Sequence, residues 1–330
     1  MDRRRRYISR LPGILGLQAL IRLSGQKLVF PFYHVVSDLA LPHISGLYSY
    51  RDEAGFLADL EELLGVFEPV SMEEALRPGH GKGGRPRMLL SFDDGLKECY
   101  SIVAPVLLRK GIPAAFFINN DFVDNRGLFY RFRIALLLDA LNRWPERLAR
   151  VAGFLELEEA GCRDAILKIR HGQDALLEAL AGLLDLDYGA WLNEHRPYMS
   201  TAQIRSLRDQ GFSIGAHSAS HPDFSALSPE EMVDQVRRSL DRLQADFDLP
   251  HRCFAFPFSS DGVPAAIIDR LLGDGIAEAL FGTSGLKLTG RRNFHQRIPM
   301  EVKDLSARSI LRTEYRYFLL KAALGKNQLR

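Results

Sequence analysis

The chain has 330 residues, of which 43 are basic and 41 acidic, giving a net charge of +2, and 46% are hydrophobic. That balance predicts an ordinary soluble globular protein and argues against a dedicated nucleic-acid binder, which needs a clear excess of Lys and Arg. Cys99, Cys162 and Cys253 are odd in number, widely spaced and without a CxxC pair, so nothing suggests a disulfide framework or a cysteine zinc site. The length suits one large α/β domain or two smaller ones.

Residues 1–26 read as a basic amphipathic segment. Arg3 to Arg6 precede an apolar run from Leu11 to Leu17, but Arg10 and Arg22 bracket it and Gln18 interrupts it. The apolar core of about ten residues is too short to span a bilayer, and no small-x-small cleavage site follows. The segment fits a helix packed on the protein or a peripheral helix on an anionic membrane surface. The expected location is therefore cytoplasmic, either free or peripheral at the inner membrane surface, with secretion the lesser alternative.

Lys27 to Val36 is β-branched and aromatic after the Gly25 break, which predicts a strand with Tyr33 and His34 at its end. Phe56, Leu57, Leu60, Leu63 and Leu64 have helical spacing, and a short strand follows at Glu68 to Val70. After a Pro/Gly/Lys-rich stretch, Met88 to Phe92 forms an apolar strand that runs into Asp93, Asp94 and Gly95. Neighbouring residues on a strand point to opposite faces. A glycine free to take positive φ lets both carboxylates turn toward one cavity at the strand's carboxyl end. Two carboxylates so close repel, and a metal ion bound to one would leave the other as a base.

Leu96 to Lys110 is expected to be helical with Gly111 as its cap, and Pro113 to Ile118 is the next strand. This strand, helix, strand rhythm implies parallel βα units with the ligand at the carboxyl ends of the strands. The rhythm lapses over residues 126–198, where leucines at helical spacing predict a helical insertion, either a packed subdomain or a substrate lid. A helix from Thr201 to Gln210 leads to a strand, Phe212 to Ala216, and then to His217 and His221. If that segment turns helically, both imidazoles lie on one face and reach one metal. A long helix, Pro229 to Phe247, precedes the strand Cys253 to Phe256, which ends in Pro257-Phe258. The strand Ala279 to Gly282, a last strand Phe294 to Pro299 and a closing helix Leu305 to Leu324 complete the chain.

Three strand ends thus carry Asp93 and Asp94, His217 and His221, and the Pro257-Phe258 turn, and together they offer one carboxylate and two imidazoles, a set that satisfies zinc and leaves positions open for substrate and water. Cobalt, nickel and iron accept the same divalent-metal set. With a second carboxylate as base, this is equipment for hydrolysing an amide or ester.

SFDDG, HSASH and the approach QIRSLRDQGFSIGAHS resemble the polysaccharide deacetylase family, carbohydrate esterase family 4 with the NodB-homology domain. The similarity covers roughly Lys27 to Ile118 and Met199 to Pro299. It implies a distorted (β/α) barrel of about seven parallel strands, running over residues 27–330 as one domain interrupted by the helical insertion. It also implies Asp93 as general base and Asp94, His217 and His221 as metal ligands. FAFPFSSDG resembles the family's third motif, in which the residue after Pro gives its backbone N–H to the oxyanion; that residue is Phe258. The family's Arg two positions before that Pro is Ala255 here, so Asp93 needs another cation, with Arg297 the first choice and Arg252 the second. Members with an N-terminal Tyr-His strand carry the general acid on that His, which matches His34; His295 is the other choice.

The resemblance implies a metal-dependent hydrolase that removes acetyl groups from N-acetylated sugars of a polysaccharide, cell-envelope glycan or lipid-linked glycan. The alternatives are a small-amide or imide hydrolase, or a glycan-binding protein with a residual metal site.

Overall fold

The computed structural model describes Arg5, residues 15–77 and residues 84–328. Most of the expected amphipathic segment, including the other N-terminal arginines and the run from Leu11 to Ile14, lies outside the described residues. Its last part is a helix, Leu17–Ser24, ended by Gly25 at φ 67°. Leu17, Leu20 and Ile21 are buried there in the same core as Leu311, Tyr315 and Phe318 of the closing helix Ala307–Ala323. Leu15 and Leu23 stay exposed. No described helix is long and apolar enough to cross a membrane.

The strand segments are β1 (Leu28–Val29), β2 (Pro31–Tyr33), β3 (Glu68–Pro69), β4 (Arg87–Met88), β5 (Leu90–Phe92) and β6 (Ala114–Ile118). They continue as β7 (Ser213–Ala216), β8 (Cys253–Ala255), β9 (Ala279–Gly282), β10 (Phe294–Gln296) and β11 (Ile298–Pro299). Eight of them pair in parallel in the order β10-β9-β8-β7-β6-β5-β2-β11. Because β10 and β11 are separated only by Arg297, the two ends of this sheet meet in one stretch of chain. Counting that stretch as one strand makes a closed barrel of seven, as the resemblance implies. A smaller parallel sheet, β1-β4-β3, continues two of these strands below the barrel.

Alternation along the strands sorts the core into two layers. Leu89, Ala115, Phe117, Cys253, Ala255, Ala279 and Phe281 share one buried cluster inside the barrel. Leu90, Phe92, Phe116, Ile214, Phe254 and Leu280 belong to the layer under the surrounding helices. Ser91 and Asp93 are in step with Leu89, so the interior row ends in a carboxylate.

Two predicted elements differ. The strand expected over Lys27 to Val36 breaks at Phe30, whose carbonyl accepts from Ile298 N–H at 2.8 Å, and ends at Tyr33. The helix expected over Leu96 to Lys110 opens with a wide π turn, Cys99–Val103, before regular helix Ala104–Lys110. Pro105 has no N–H and its ring crowds the carbonyl four residues back, which widens the preceding turn.

Between β6 and the helix Thr201–Asp209 that leads into β7 stand the five α-helices of the insertion, Tyr130–Arg143, Leu148–Leu155, Glu159–Leu167, Asp174–Leu183 and Tyr188–His195. They close over their own core, in which Leu137, Leu141, Val151, Cys162, Ile166, Leu177 and Leu180 are fully buried.

Candidate active site

β5 delivers Asp93 inward by alternation, and Asp93 N–H donates to Tyr33 O at 3.0 Å. Asp94 would then point outward, but it adopts φ 70° itself and Gly95 follows at φ 68°. The reversal expected of the glycine alone is thus shared with Asp94, a residue type that tolerates the left-handed region better than most. Both carboxylates, 1% and 4% exposed, line a cavity of about 240 Å³ with His34, Tyr48, His217 and His221.

His217 and His221 meet Asp94 without a helical turn, contrary to expectation. Residues 217–223 form an irregular loop in which Ser218 (φ 71°) and His221 (φ 57°) are left-handed. His221 N–H donates to Ser218 Oγ at 2.9 Å, and Asn119 Nδ2 donates to the His217 carbonyl. Strain held at a site by such bonds is common where geometry serves function. His217 Nε2 lies 3.5 Å and His221 Nε2 3.2 Å from Asp94 Oδ1.

The three ligand atoms fall within 4.8 Å of one another. Bonds of about 2.0–2.2 Å at tetrahedral angles separate ligand atoms by about 3.3–3.5 Å, so these residues suit a zinc-sized ion. Two further observations agree. Asp94 Oδ1 is buried with no hydrogen-bond donor among the described residues, and His217 Nδ1 lies 2.8 Å from Ala255 O, which leaves Nε2 as the lone-pair nitrogen facing the cavity. Burial, the largest influence, lowers His217 to about 4 and so keeps it neutral, while nearby carboxylates act in the other direction. The His221 ring is held by aromatic packing, 4.2 Å from Phe129 and 4.8 Å from Phe258 between ring centroids.

Arg297, at the seam where the barrel closes, is 0% exposed and forks Asp93 with Nη1 to Oδ1 and Nη2 to Oδ2 both at 2.7 Å. Its Nη1 also donates to Ser91 Oγ at 3.2 Å, and its guanidinium carbon lies 4.4 Å from the Phe32 ring centroid. Burial would raise the Asp93 carboxyl, but Arg297 first and His217 next outweigh it and hold it below the usual carboxylate range. Arg252 is not part of the site; it pairs with Asp241 at 2.7 Å and donates to Ile276 O.

His34 lies just past β2 and lines the cavity. Its Nδ1 is 2.5 Å from Glu301 Oε2, while Glu301 Oε1 accepts the backbone N–H groups of His34 and Val35 at 2.9 and 3.0 Å. Burial alone would lower the imidazole, but the Glu301 charge and hydrogen bond, with Asp94 and Asp93 behind them, raise it to about 9. His295 is elsewhere. It lines a cleft of about 1220 Å³ shared with Lys27 and Arg87, at the amino-terminal ends of β1 and β4, and burial lowers it to about 4.

Phe258, at φ 54° and half exposed, lines the cavity, and its carbonyl accepts from Thr283 Oγ1 at 2.6 Å. The insertion contributes Phe129 and Arg131 to the same wall. Sequence reasoning did not single out Glu301, Tyr48, Phe129 or Arg131. Glu301 lies two residues past β11 and belongs to no motif that would mark it. Tyr48 lies in a loop with no pattern to mark it.

A family model described as polysaccharide deacetylase matches residues 80–273. No curated protein sequence matches the chain significantly. Among solved structures, the Streptococcus pyogenes deacetylase PplD in complex with acetate is 13% identical with a TM-score of 0.57, covering 87% of this chain and 98% of that one. IcaB from Ammonifex degensii is 16% identical with a TM-score of 0.56, covering 88% and 97%. A de-N-acetylase from Aggregatibacter actinomycetemcomitans is 15% identical with a TM-score of 0.53, covering 82% and 93%. These likenesses extend over nearly the whole barrel fold, and the family match spans more than half of the sequence. The chain belongs to the polysaccharide deacetylase family.

Proposed function

We propose that the chain is a metal-dependent deacetylase acting on an N-acetylated sugar of a polysaccharide, cell-envelope glycan or lipid-linked glycan. The observation that carries this reading is the Arg297 fork on Asp93 immediately beside the Asp94, His217 and His221 cluster. It sets one carboxylate apart as an ionised base and leaves three neutral or anionic donors for a cation. A divalent metal, zinc by ligand type, would be held by Asp94, His217 and His221 and would polarise the acetyl carbonyl and acidify water beside it.

The chain's own residues divide the proton work. Asp93, kept ionised by Arg297, accepts the proton of the attacking water. The Phe258 backbone N–H would donate to the oxyanion, as the residue after Pro does in the motif that this segment resembles. His34, held protonated by Glu301, gives its proton to the departing amine, which prevents the tetrahedral adduct from reverting. A cavity of about 240 Å³ is at the small end of ligand sites and suits one sugar residue, with the remainder of a glycan outside. The N-acetyl assignment follows the name of one structural neighbour, a de-N-acetylase.

The test is an acetate-release screen over N-acetylated and O-acetylated glycans, with small amides and imides in parallel and metal content measured on the same preparation. Release from N-acetyl glycans alone supports the reading. Turnover of small amides alone replaces it, and tight glycan binding without acetate points to a binding protein. The same reading keeps the chain in the cytoplasm with its basic N-terminal segment at an anionic lipid surface, which cell fractionation at low and high salt tests.

A further inference from the structure

Within the described residues, the polar groups lining the catalytic cavity are nearly all accounted for. Asp93 is forked by Arg297, His34 by Glu301, His217 is fixed on Ala255, Thr283 donates to Phe258 O, and Arg131 donates to Leu167 O at 2.9 Å. Outside the set suited to a metal, one group remains. The Tyr48 hydroxyl is buried, lines this cavity and has no hydrogen-bond partner among the described residues.

Its position is fixed without the hydroxyl. The Tyr48 ring packs on the His34 ring at 4.7 Å between centroids. Ser49 Oγ donates to Glu301 O at 2.8 Å, and Tyr50 Oη donates to Leu39 O at 2.9 Å. The loop is therefore anchored on both following residues, and the aromatic ring alone supplies the packing. A buried hydroxyl without a partner destabilises a fold, so an oxygen kept there needs another explanation, and a ligand atom is the simplest. Burial, then the charges of Asp94 and Glu301, push the phenol far above its ordinary value, so it stays a donor at every working pH. Its ring stands against His34, the group proposed to release the amine, in the wall of the cavity that Asp94 also lines.

We infer that Tyr48 is a catalytic residue of this site, donating a hydrogen bond from its hydroxyl to the acetyl oxygen as that oxygen gains charge. No proton is transferred; the donor acts beside the Phe258 N–H, and its effect is larger in the transition state than on the bound substrate. The inference rests on the deacetylase reading above and adds a residue that the motifs do not contain.

The test is Tyr48→Phe, measured against wild type on one N-acetyl glycan with kcat, KM, metal content, pH profile and Tm followed together. The expected result is a kcat lower by about a hundredfold with KM within about threefold, as for loss of an oxyanion donor. Metal content and the alkaline limb set by His34 should not move, and Tm should stay the same or rise because no internal bond is lost. A kcat within twofold of wild type overturns the inference, as does a rise in KM alone, which would place the bond on a ground-state sugar hydroxyl. A shifted alkaline limb also overturns it, making Tyr48 a positioning residue for His34. Wild-type protein that releases no acetate would sink the deacetylase reading and this inference with it, whereas release by both proteins alike sinks the inference alone.

Discussion

Arg297 reaches Asp93 from the strand that closes the barrel, with both guanidinium nitrogens 2.7 Å from the two carboxylate oxygens. Glu301, four residues further along the same segment, grips His34. One stretch of chain thus shuts the barrel and supplies the counter-charge to both groups proposed to handle protons. Arg51 fastens this stretch by donating to the carbonyls of Met300 and Leu305 at 3.0 and 2.5 Å while pairing with Asp59 at 2.8 Å.

Replacing Arg297 should be severe in two ways. Arg297→Gln leaves a buried carboxylate without its cation, which costs about 3–5 kcal/mol when one partner of a buried pair is removed. Arg297→Lys should recover little, because a point charge cannot make the fork or stack on Phe32. Denaturant unfolding reads the loss. The acid limb of the kcat profile should also move to higher pH, since the influence that lowers Asp93 most is gone. Unchanged stability would mean that the pair is not buried as described.

Glu301→Gln tests the other half of the segment. As the proposed general acid His34 must be protonated to act, so wild-type kcat should fall as pH rises through about 9. With the carboxylate gone, burial prevails and that limb should move down, giving reduced activity at pH 8 at matched metal content. The same shift bears on stability: its contribution is full below the unfolded value near 6.5 and is lost as pH rises through about 9. The Tm advantage of wild type over Glu301→Gln should therefore shrink across that interval. His34→Ala with full turnover and metal retained would remove His34 from the mechanism.

Gly215→Ala probes the packing beneath the loop that carries His217 and His221. A Cβ there would stand 2.6 Å from the Phe117 ring and 2.9 Å from Cys253 O. Phe117 is itself wedged against Arg297, 5.2 Å from its ring centroid to the guanidinium carbon, and cannot yield freely. Overpacking of this kind costs about 1–3 kcal/mol, which denaturant unfolding would show.

Much of this was legible before the fold was seen. The apolar run into Asp93 and Asp94, the pair His217 and His221 and the strand, helix, strand rhythm all follow from local sequence, because alternation and turn chemistry act over a few residues. Arg297 could be nominated only through the family resemblance, which implies a cation where Ala255 stands. The fork itself depends on two residues 204 apart meeting when the barrel closes. Glu301 and Tyr48 were not legible for the same reason: neither belongs to a periodic pattern, and each gains its meaning from His34, more than 250 residues away for Glu301. The helical turn expected between the two histidines failed because Ser218 and His221 take left-handed conformations that spacing alone does not reveal.

The central claim is that Asp93 is the base and Asp94, His217 and His221 hold the metal. The most direct measurement is acetate release and bound metal in Asp93→Asn and His217→Ala beside wild type. The account predicts that Asp93→Asn keeps its metal and loses turnover by at least about a hundredfold, the scale of a lost general base. His217→Ala should lose metal and turnover together. Full acetate release by Asp93→Asn, or undiminished metal in His217→Ala, would contradict it.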